Sequence, residues 1–215
     1  MIYHDFEELT KEILRKREPS RCGVVMPRDE HTIEAVKKAE EEGFITPVFI
    51  EAESSEKAMM KAVESVHEGK VDMLMKGLIP TSDFMRAILS HDSGLKSGKL
   101  VSMLTVRKIP NYHKLLAMTD TGICEQPNLM QKKEIIDNAV SALLKIGFDE
   151  PKVAVLSAAE IVNSRMQSST DAEVLKHMWE NGEIKNCILD GPVSIDLALS
   201  HEAAEIKGYL SPVAG

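Results

Sequence analysis

The sequence has few cysteines, and it lacks the cysteine and histidine patterns that stabilise small secreted or metal-binding proteins. Its three cysteines, Cys22, Cys124 and Cys187, are odd in number and widely spaced, so they define neither a disulfide framework nor a zinc pattern. Cysteines used in this way are typical of a reducing compartment, and we expect a cytoplasmic protein. The seven histidines lie in unrelated segments without an H-E-x-x-H motif, so we expect no metal site.

The chain also lacks a positive charge balance and long apolar runs. Its formal net charge of −8 argues against nucleic acid as a general partner, because phosphate binding needs a basic face. No apolar run approaches the roughly 18 residues that span a membrane, and the polar, acidic N-terminus does not resemble a signal peptide. We therefore expect no membrane partner. Neither a Walker A motif nor a G-x-G-x-x-G motif occurs.

The sequence does contain a regular alternation of apolar runs and helical periodicity. Its 215 residues, 43% of them apolar, suffice for one large core or two small ones. Three short strands that alternate with helices predict a parallel sheet with right-handed crossovers. Two later strands are joined by a connection too short for a crossover helix, which predicts an antiparallel pair. The predicted strands of this part are 21–26, 45–50, 71–75, 100–106 and 115–119, and the helices are 6–17, 32–42, 56–68 and 127–146.

Residues 148–151 are interpreted as a bridge between two α/β domains, 1–147 and 148–215, of which the second is partial. The second domain starts with a strand, a polar loop and a helix that is capped by Asp171. The dipeptide Gly191-Pro192 is predicted to break the end of the next strand, and one helix should follow. The predicted strands of this domain are 152–159 and 186–189, the polar loop is 160–170, and the final helix is 195–206.

The stretch VDMLMKGLIPTSDFMRAIL, residues 71–89, combines a strand, a loop and a helix. In open α/β sheets ligands bind at the carboxyl ends of strands, where this loop lies. Thr81 or Ser82 is a predicted N-cap, Lys76 supplies a positive charge, and Gly77 permits close approach of the backbone. The loop therefore predicts a site for phosphate or another anion at a helix N-terminus. The alternative is an ordinary turn with a solvated lysine.

Three further places carry polar groups at predicted strand ends. Asp120 follows one strand, where it is either functional or part of an ordinary Asx turn. The polar loop that contains Asn163 and Arg165 follows a buried strand, and loops in such a position commonly carry ligands. Asp190 lies at the end of the last strand. Gly191 beside it is expected to adopt a backbone angle that other residues reach at a cost of about 1–2 kcal/mol.

Four ordered segments resemble the phosphate acetyltransferase and phosphate butyryltransferase family, with the closer resemblance to the butyryl branch. They are LMKGLIPTSDFMRAIL, LLAMTDTGICEQPNLMQKKEIIDNAV, KVAVLSAAEIVNSRM and ILDGPVSIDLALSHEAAEIKG, and SPVAG follows them. The resemblance implies an α/β, two-domain fold like that of isocitrate and isopropylmalate dehydrogenases, with mostly parallel sheets and an antiparallel strand pair. It further implies reversible transfer of a butyryl or acetyl group between coenzyme A and inorganic phosphate, without a metal or a permanently bound cofactor.

The resemblance also implies where the substrates, acyl-CoA and phosphate, are held. Phosphate needs backbone amides and a cation, the tetrahedral oxyanion needs donors, and the coenzyme A thiol needs a base. The candidate bases are Asp120 and Asp190. The predicted substrate-binding residues are Lys76, Gly77, Thr81, Asn163, Arg165, Gly191 and Pro192.

The chain departs from the family pattern after SPVAG. In the family a further segment follows, with a late Ser-Arg-x-Asp sequence that positions phosphate and activates the thiol, and Ser164-Arg165 lies too early to inherit that role. We therefore expect a C-terminally incomplete chain without an assigned catalytic base. It is either a fragment of a longer polypeptide or a homo-oligomer that protects its sheet edges by self-association. The alternative function is a catalytically silent relative that binds coenzyme A or serves in assembly.

Overall fold

The computed structural model describes residues 2–95 and 99–215. Backbone packing divides the chain into two compact units. The first unit is Lys11–Lys99, and the second unit is Met1–Thr10 with Leu100–Gly215. These ranges do not coincide with 1–147 and 148–215, and the predicted domains, as parts that fold independently, stay a prediction.

Helices and strands alternate regularly along the first part of the chain, as the sequence predicts. The strands form one parallel sheet in the order β2-β1-β3. The elements are α1 (Phe6–Lys16), β1 (Ser20–Val25), α2 (Glu30–Glu41), β2 (Ile45–Ile50), α3 (Ser55–His67), β3 (Met73–Lys76), α4 (Thr81–Leu89) and a 3-10 turn (His91–Ser93).

Local sequence explains most of these boundaries. The Asp29 side chain accepts a hydrogen bond from the Thr32 amide and begins α2, and Ser54 caps α3 through the Lys57 amide in the same way. In the centre of the sheet Val24 and Val25 are 0% exposed, which is expected of a strand covered on both faces.

The second unit contains an antiparallel pair and a parallel pair of strands. The antiparallel pair β4–β5 confirms the prediction from the short connection. The parallel pair is β6–β7. The elements are β4 (Leu104–Lys108), β5 (Leu115–Thr119), α5 (Leu129–Ile146), β6 (Lys152–Leu156), α6 (Gln167–Glu180), β7 (Ile188–Val193), α7 (Ile195–Leu199) and α8 (His201–Ile206).

Helix α5 shares its core with the last strands of the chain. Ile136 and Val140 of α5 pack in one buried cluster with Leu175 of α6 and Leu189 of β7. A capping box, in which Asn128 and Gln131 bond each other's backbone amides, begins this helix. The predicted boundary at 147 and 148 therefore lies inside a continuous hydrophobic cluster.

Three local predictions in the second unit are wrong. Helix α6 begins at Gln167, so Asp171 lies inside it and binds the Lys132 ammonium at 2.6 Å instead of capping. The predicted helix 195–206 is two short helices, because the Ser200 side chain caps α8 and interrupts the run. Asp190, Gly191 and Pro192 do not end the strand but lie within β7.

The β7 strand accommodates its proline through an irregularity in its pairing with β6. The register shifts between Ala154 and Leu156, opposite the part of β7 that contains Gly191 and Pro192. Proline cannot donate to a strand ladder, and such positions are tolerated at bulges. None of the helices in the described part of the chain is long and apolar enough to cross a membrane.

Candidate functional site

The loop between β3 and α4 is built around Lys76 and Gly77. The Lys76 ammonium donates hydrogen bonds to the carbonyl oxygens of Gly77 at 3.2 Å and Ile79 at 3.0 Å, so it closes its own loop. A Cβ on Gly77 would lie 2.4 Å from the carbonyl oxygen of Met26 and 2.7 Å from that of Val25. The close backbone approach that Gly77 permits is therefore an approach to the end of β1.

The start of α4 differs from the predicted cap. Pro80 occupies the N-cap position, and no side chain caps the helix, so neither Thr81 nor Ser82 is the N-cap. Thr81 is the first helical residue. Asp83 lies in the first turn and pairs with Arg86 at 3.2 Å. The loop thus offers a helix N-terminus and an ammonium group within the first unit.

Asp120 forms an Asx turn directly after β5. One carboxylate oxygen accepts the amides of Gly122 and Ile123, both at 2.8 Å, and the other accepts the amide of Met103 at 2.9 Å. Burial alone raises the pKa of this carboxyl, but the amide hydrogen bonds outweigh burial and leave the pKa below its ordinary value. A carboxylate with three donors and a lowered pKa is a weak proton acceptor.

Cys124 follows the same turn. Burial raises the pKa of its thiol, and the nearby Asp120 carboxylate raises it further. The thiolate form is therefore disfavoured. This agrees with a structural use of the cysteine.

The carboxyl ends of β6 and β7 meet at one edge of their sheet. The Ser157 amide donates to the carbonyl oxygen of Val193 at 3.0 Å and fixes the start of the polar loop there. Further along, the Ser194 hydroxyl donates to the Glu160 carboxylate at 2.6 Å. The polar loop therefore lies where ligands bind in open α/β sheets.

Asn163 and Arg165 lie together in this loop and are both exposed. The Asn163 side-chain oxygen accepts the Arg165 amide at 3.0 Å. Within the described residues, the Arg165 guanidinium has neither a hydrogen bond nor an ion pair. The loop thus presents an unpaired cation and an amide side chain.

Four residues that sequence reasoning missed form a polar network beside the loop. The Lys207 ammonium lies 2.9 Å from an Asp196 oxygen and 3.3 Å from a Glu160 oxygen, and Ser194 completes the network. Hydrogen bonds from Ser194 and Lys207 lower the pKa of Asp196 to about 2 and also lower that of Glu160. Glu160 lies more than thirty residues before Ser194, and Lys207 lies eleven residues after Asp196, so no local sequence pattern predicts the network.

Asp190 is the anchor of a buried polar cluster. Its side chain is 5% exposed, and it binds the Lys176 ammonium at 2.7 Å and the Ser211 hydroxyl at 2.6 Å. Pro192 accepts a hydrogen bond from the Tyr209 hydroxyl at 2.9 Å. These contacts tie the segment after α8 to β7, and they give Asp190 and Pro192 structural uses.

Gly191 is required for a reason other than its backbone angle. Its φ lies outside the left-handed region, so the predicted need for an unusual angle is wrong. A Cβ at this position would lie 2.8 Å from the Val155 carbonyl oxygen and 2.9 Å from the Val155 Cβ. Gly191 therefore permits close packing of β7 against β6.

The predicted substrate-binding residues fall into three groups along the chain. Lys76, Gly77 and Thr81 lie in the β3–α4 loop, Asn163 and Arg165 lie in the polar loop, and Gly191 and Pro192 lie with Asp190 inside β7. A hollow of about 660 Å³ in the second unit is lined in part by His113, Lys152, His201 and Pro212, and none of the predicted site residues lines it. Among the described residues, no group of His, Cys, Asp and Glu is placed to hold a metal ion.

Known proteins are similar to this chain over a range that includes all three groups of residues. A family model described as phosphate acetyl/butaryl transferase matches residues 26–215. The phosphate butyryltransferase of Clostridium acetobutylicum is 34% identical over 98% of this chain and 77% of its own length. The phosphate acetyltransferase of Thermotoga maritima is 37% identical over 91% of this chain and 74% of its own length. The crystal structure of a branched-chain phosphotransacylase from Enterococcus faecalis matches with a TM-score of 0.74 and 26% identity, covering 91% of this chain and 76% of that one.

Proposed function

Because the chain belongs to the phosphate acetyl/butaryl transferase family, we propose that it catalyses the reversible transfer of a short acyl group between coenzyme A and inorganic phosphate. The observation that carries this proposal is the match over residues 26–215, which includes both loops that offer cationic groups. Acyl-CoA and phosphate are then substrates, and the reaction needs no permanently bound cofactor. A phosphate butyryltransferase and a phosphate acetyltransferase share nearly the same percentage of identical residues with this chain, so we propose a butyryl or an acetyl group as the acyl group.

The reaction sets the requirements for the site. A phosphate oxygen attacks the thioester carbonyl carbon, a C–O bond forms, and the carbonyl oxygen becomes an oxyanion. The C–S bond then breaks, and coenzyme A leaves as a thiolate that takes up a proton. In the reverse direction the thiol must lose that proton to a base.

We assign the anionic groups of the substrates to the two exposed loops. Arg165, whose guanidinium has no partner among the described residues, lies beside Asn163, and the two suit the phosphate groups of the substrates. Lys76 and the first amides of α4, at Thr81, suit a second phosphate group. The Lys76 ammonium must then exchange at least one of its loop carbonyl partners for the ligand.

The catalytic base is not assigned to either predicted aspartate. Asp120 accepts three backbone amides and has a lowered pKa, which weakens it as a proton acceptor. Asp190 is buried and holds Lys176 and Ser211. Gly191 and Pro192 are buried with it, and we propose that these three residues support the loop edge without contacting the substrate.

Three further properties, the location, the oligomeric state and the fold, belong to the same proposal. The three free cysteines support a cytoplasmic location. Large apolar side chains exposed in the first unit, such as Met60 at 67% and Leu78 at 62%, support a homo-oligomer. The formal net charge of −8 speaks against nucleic acid as a partner. Two units with parallel sheets support the fold of isocitrate and isopropylmalate dehydrogenases.

Release of free thiol from butyryl-CoA and acetyl-CoA tests the function. We expect release that requires phosphate, that stops when sulfate replaces phosphate, and that yields an equal amount of acyl phosphate. A folded chain that binds coenzyme A in a calorimetric titration but releases no thiol would contradict the proposal. That outcome would identify the silent binding module instead.

A further inference from the structure

Ser169 is a completely buried hydroxyl that reaches back across the polar loop. It lies in the first turn of α6 and is 0% exposed. Its oxygen accepts the Asn163 amide at 2.9 Å and lies within donating distance of the carbonyl oxygens of Asn163 at 3.0 Å and Met166 at 2.9 Å. One buried side chain thus holds both backbone groups of a loop residue six positions earlier.

This contact is different from an ordinary helix cap. In a capping box the third helical residue bonds the amide of the N-cap residue, which here is Met166. Ser169 instead bonds Asn163, three residues before the N-cap, and the N-cap side chain makes no capping bond. The hydroxyl therefore fixes the loop as well as the N-cap residue Met166, whose carbonyl oxygen lies 2.9 Å away.

The loop that Ser169 fixes carries the exposed polar groups of the second unit. Asn163 passes the restraint on, because its side-chain oxygen accepts the Arg165 amide at 3.0 Å. The loop tip beside it faces solvent, since Ile161 is 82% exposed. Without the Ser169 hydroxyl, the Asn163 amide loses its partner in a part-buried position, which favours a shift of the loop.

We infer that Ser169 is a positioning residue that sets the place of Asn163 and Arg165 for binding of acyl-CoA. This inference rests on the proposed acyl transfer. Ser169 does not touch the substrate and acts through the backbone of Asn163. Its removal should weaken substrate binding more than it slows turnover, because a displaced cation loses contacts that are made before and during the reaction.

Kinetics with the full chain test the inference through three variants. We expect Ser169→Ala to raise the KM for butyryl-CoA about tenfold, while kcat changes less than about twofold. Ser169→Cys, which keeps a weak donor and acceptor of similar size, should lie between the parent and Ser169→Ala. The matched control is Thr170→Val, which removes a neighbouring hydroxyl whose bond within the described residues is to Gln167 of its own helix, and its KM should be unchanged.

A double-mutant cycle with Arg165→Ala separates positioning from general destabilisation. Arg165→Ala should raise the KM about tenfold in the parent but less than about twofold in the Ser169→Ala background, because the arginine is already misplaced there. Additive effects, or an unchanged KM in folded Ser169→Ala, would overturn the inference. If Ser169→Ala does not fold, the same cycle with Ser169→Cys gives the decision.

A titration with coenzyme A distinguishes failure of the inference from failure of the proposed function. If the parent binds coenzyme A without turnover, the proposed function fails. The positioning role is then decided by whether Ser169→Ala weakens the Kd about tenfold relative to Thr170→Val. A parent chain that neither turns over acyl-CoA nor binds coenzyme A would overturn both.

Discussion

At the scale of single residues, Lys76 has a structural use and a proposed binding use. Its ammonium satisfies the carbonyl oxygens of Gly77 and Ile79, so Lys76→Ala should lower the free energy of unfolding by about 1 kcal/mol. We expect the same variant to weaken coenzyme A binding about tenfold in a calorimetric titration. Lys57→Ala, which removes an exposed lysine paired with Glu53, is the control for net charge. Equal affinities of the two variants would rule out a ligand contact by Lys76.

Substitution of Asp190 tests whether this buried carboxylate stabilises the structure or transfers a proton. Asp190→Asn keeps the shape but leaves the Lys176 ammonium without its counter-charge, and we expect a loss of about 3 kcal/mol in denaturant unfolding. Asp137→Asn is the control, because Asp137 pairs with Lys133 on the surface of α5 and should cost less than about 1 kcal/mol. Loss of turnover without loss of stability would instead favour Asp190 as the base.

At the scale of elements, Arg21 and Asp72 tie β3 to β1. The Arg21 guanidinium and amide both bond the Asp72 carboxylate, and these bonds lower its pKa from 3.8 to about 2. A lowered carboxylate pKa stabilises the fold above pH 4, and this stabilisation is lost as the pH falls through 2. We expect Asp72→Asn to unfold at a lower temperature than the parent at pH 6, with the difference shrinking towards pH 2. A difference that is independent of pH would contradict this assignment.

The contact between β6 and β7 depends on the absence of a side chain at Gly191. Gly191→Ala places a Cβ against the backbone of Val155, and we expect a loss of about 1–3 kcal/mol in thermal or denaturant unfolding. Gly122→Ala is the matched control, since among the described residues its Cβ would meet the Met103 side chain at 3.6 Å or more, an ordinary contact distance. If both variants unfold like the parent, β7 has room to move away from β6.

Most elements could be predicted because their signals are local. The apolar run 45–50 gives β2 with the predicted bounds, and the short connection after β4 gives the antiparallel pair. The Gly191-Pro192 dipeptide misled the prediction, because a bulge in the pairing with β6 lets a proline remain in the strand. That bulge depends on the partner strand, which local sequence does not specify.

The candidate site was predictable only in its loops. Strand ends identify the positions of Lys76 and Arg165 because ligands gather there in α/β sheets. The partners of each side chain depend on packing between distant segments. The hydrogen bonds of Asp190 with Ser211 and of Glu160 with Ser194 join residues 21 and 34 positions apart, and no periodicity in the sequence predicts them.

At the scale of the whole molecule, the core around α5 predicts which fragments fold. Ile136 and Val140 pack with Leu175 and Leu189, so a fragment of residues 148–215 loses one side of its core. We expect that fragment to show little amide dispersion in NMR spectra, whereas a fragment of residues 100–215 retains it. A well-folded 148–215 fragment would contradict this expectation and would support the predicted domain boundary.

Tyr3 sets a condition on the timing of folding during synthesis. Its side chain is buried, its carbonyl oxygen accepts the Leu115 amide, its ring packs edge-on against Phe148, and its hydroxyl bonds the carbonyl oxygen of Gly147, 144 positions later. A ribosome adds roughly 5–20 residues per second, so the partners Gly147 and Phe148 are synthesised on the order of ten seconds after Tyr3. Tyr3 thus reaches its native contacts long after its own synthesis, and during that interval its apolar ring is open to chaperones.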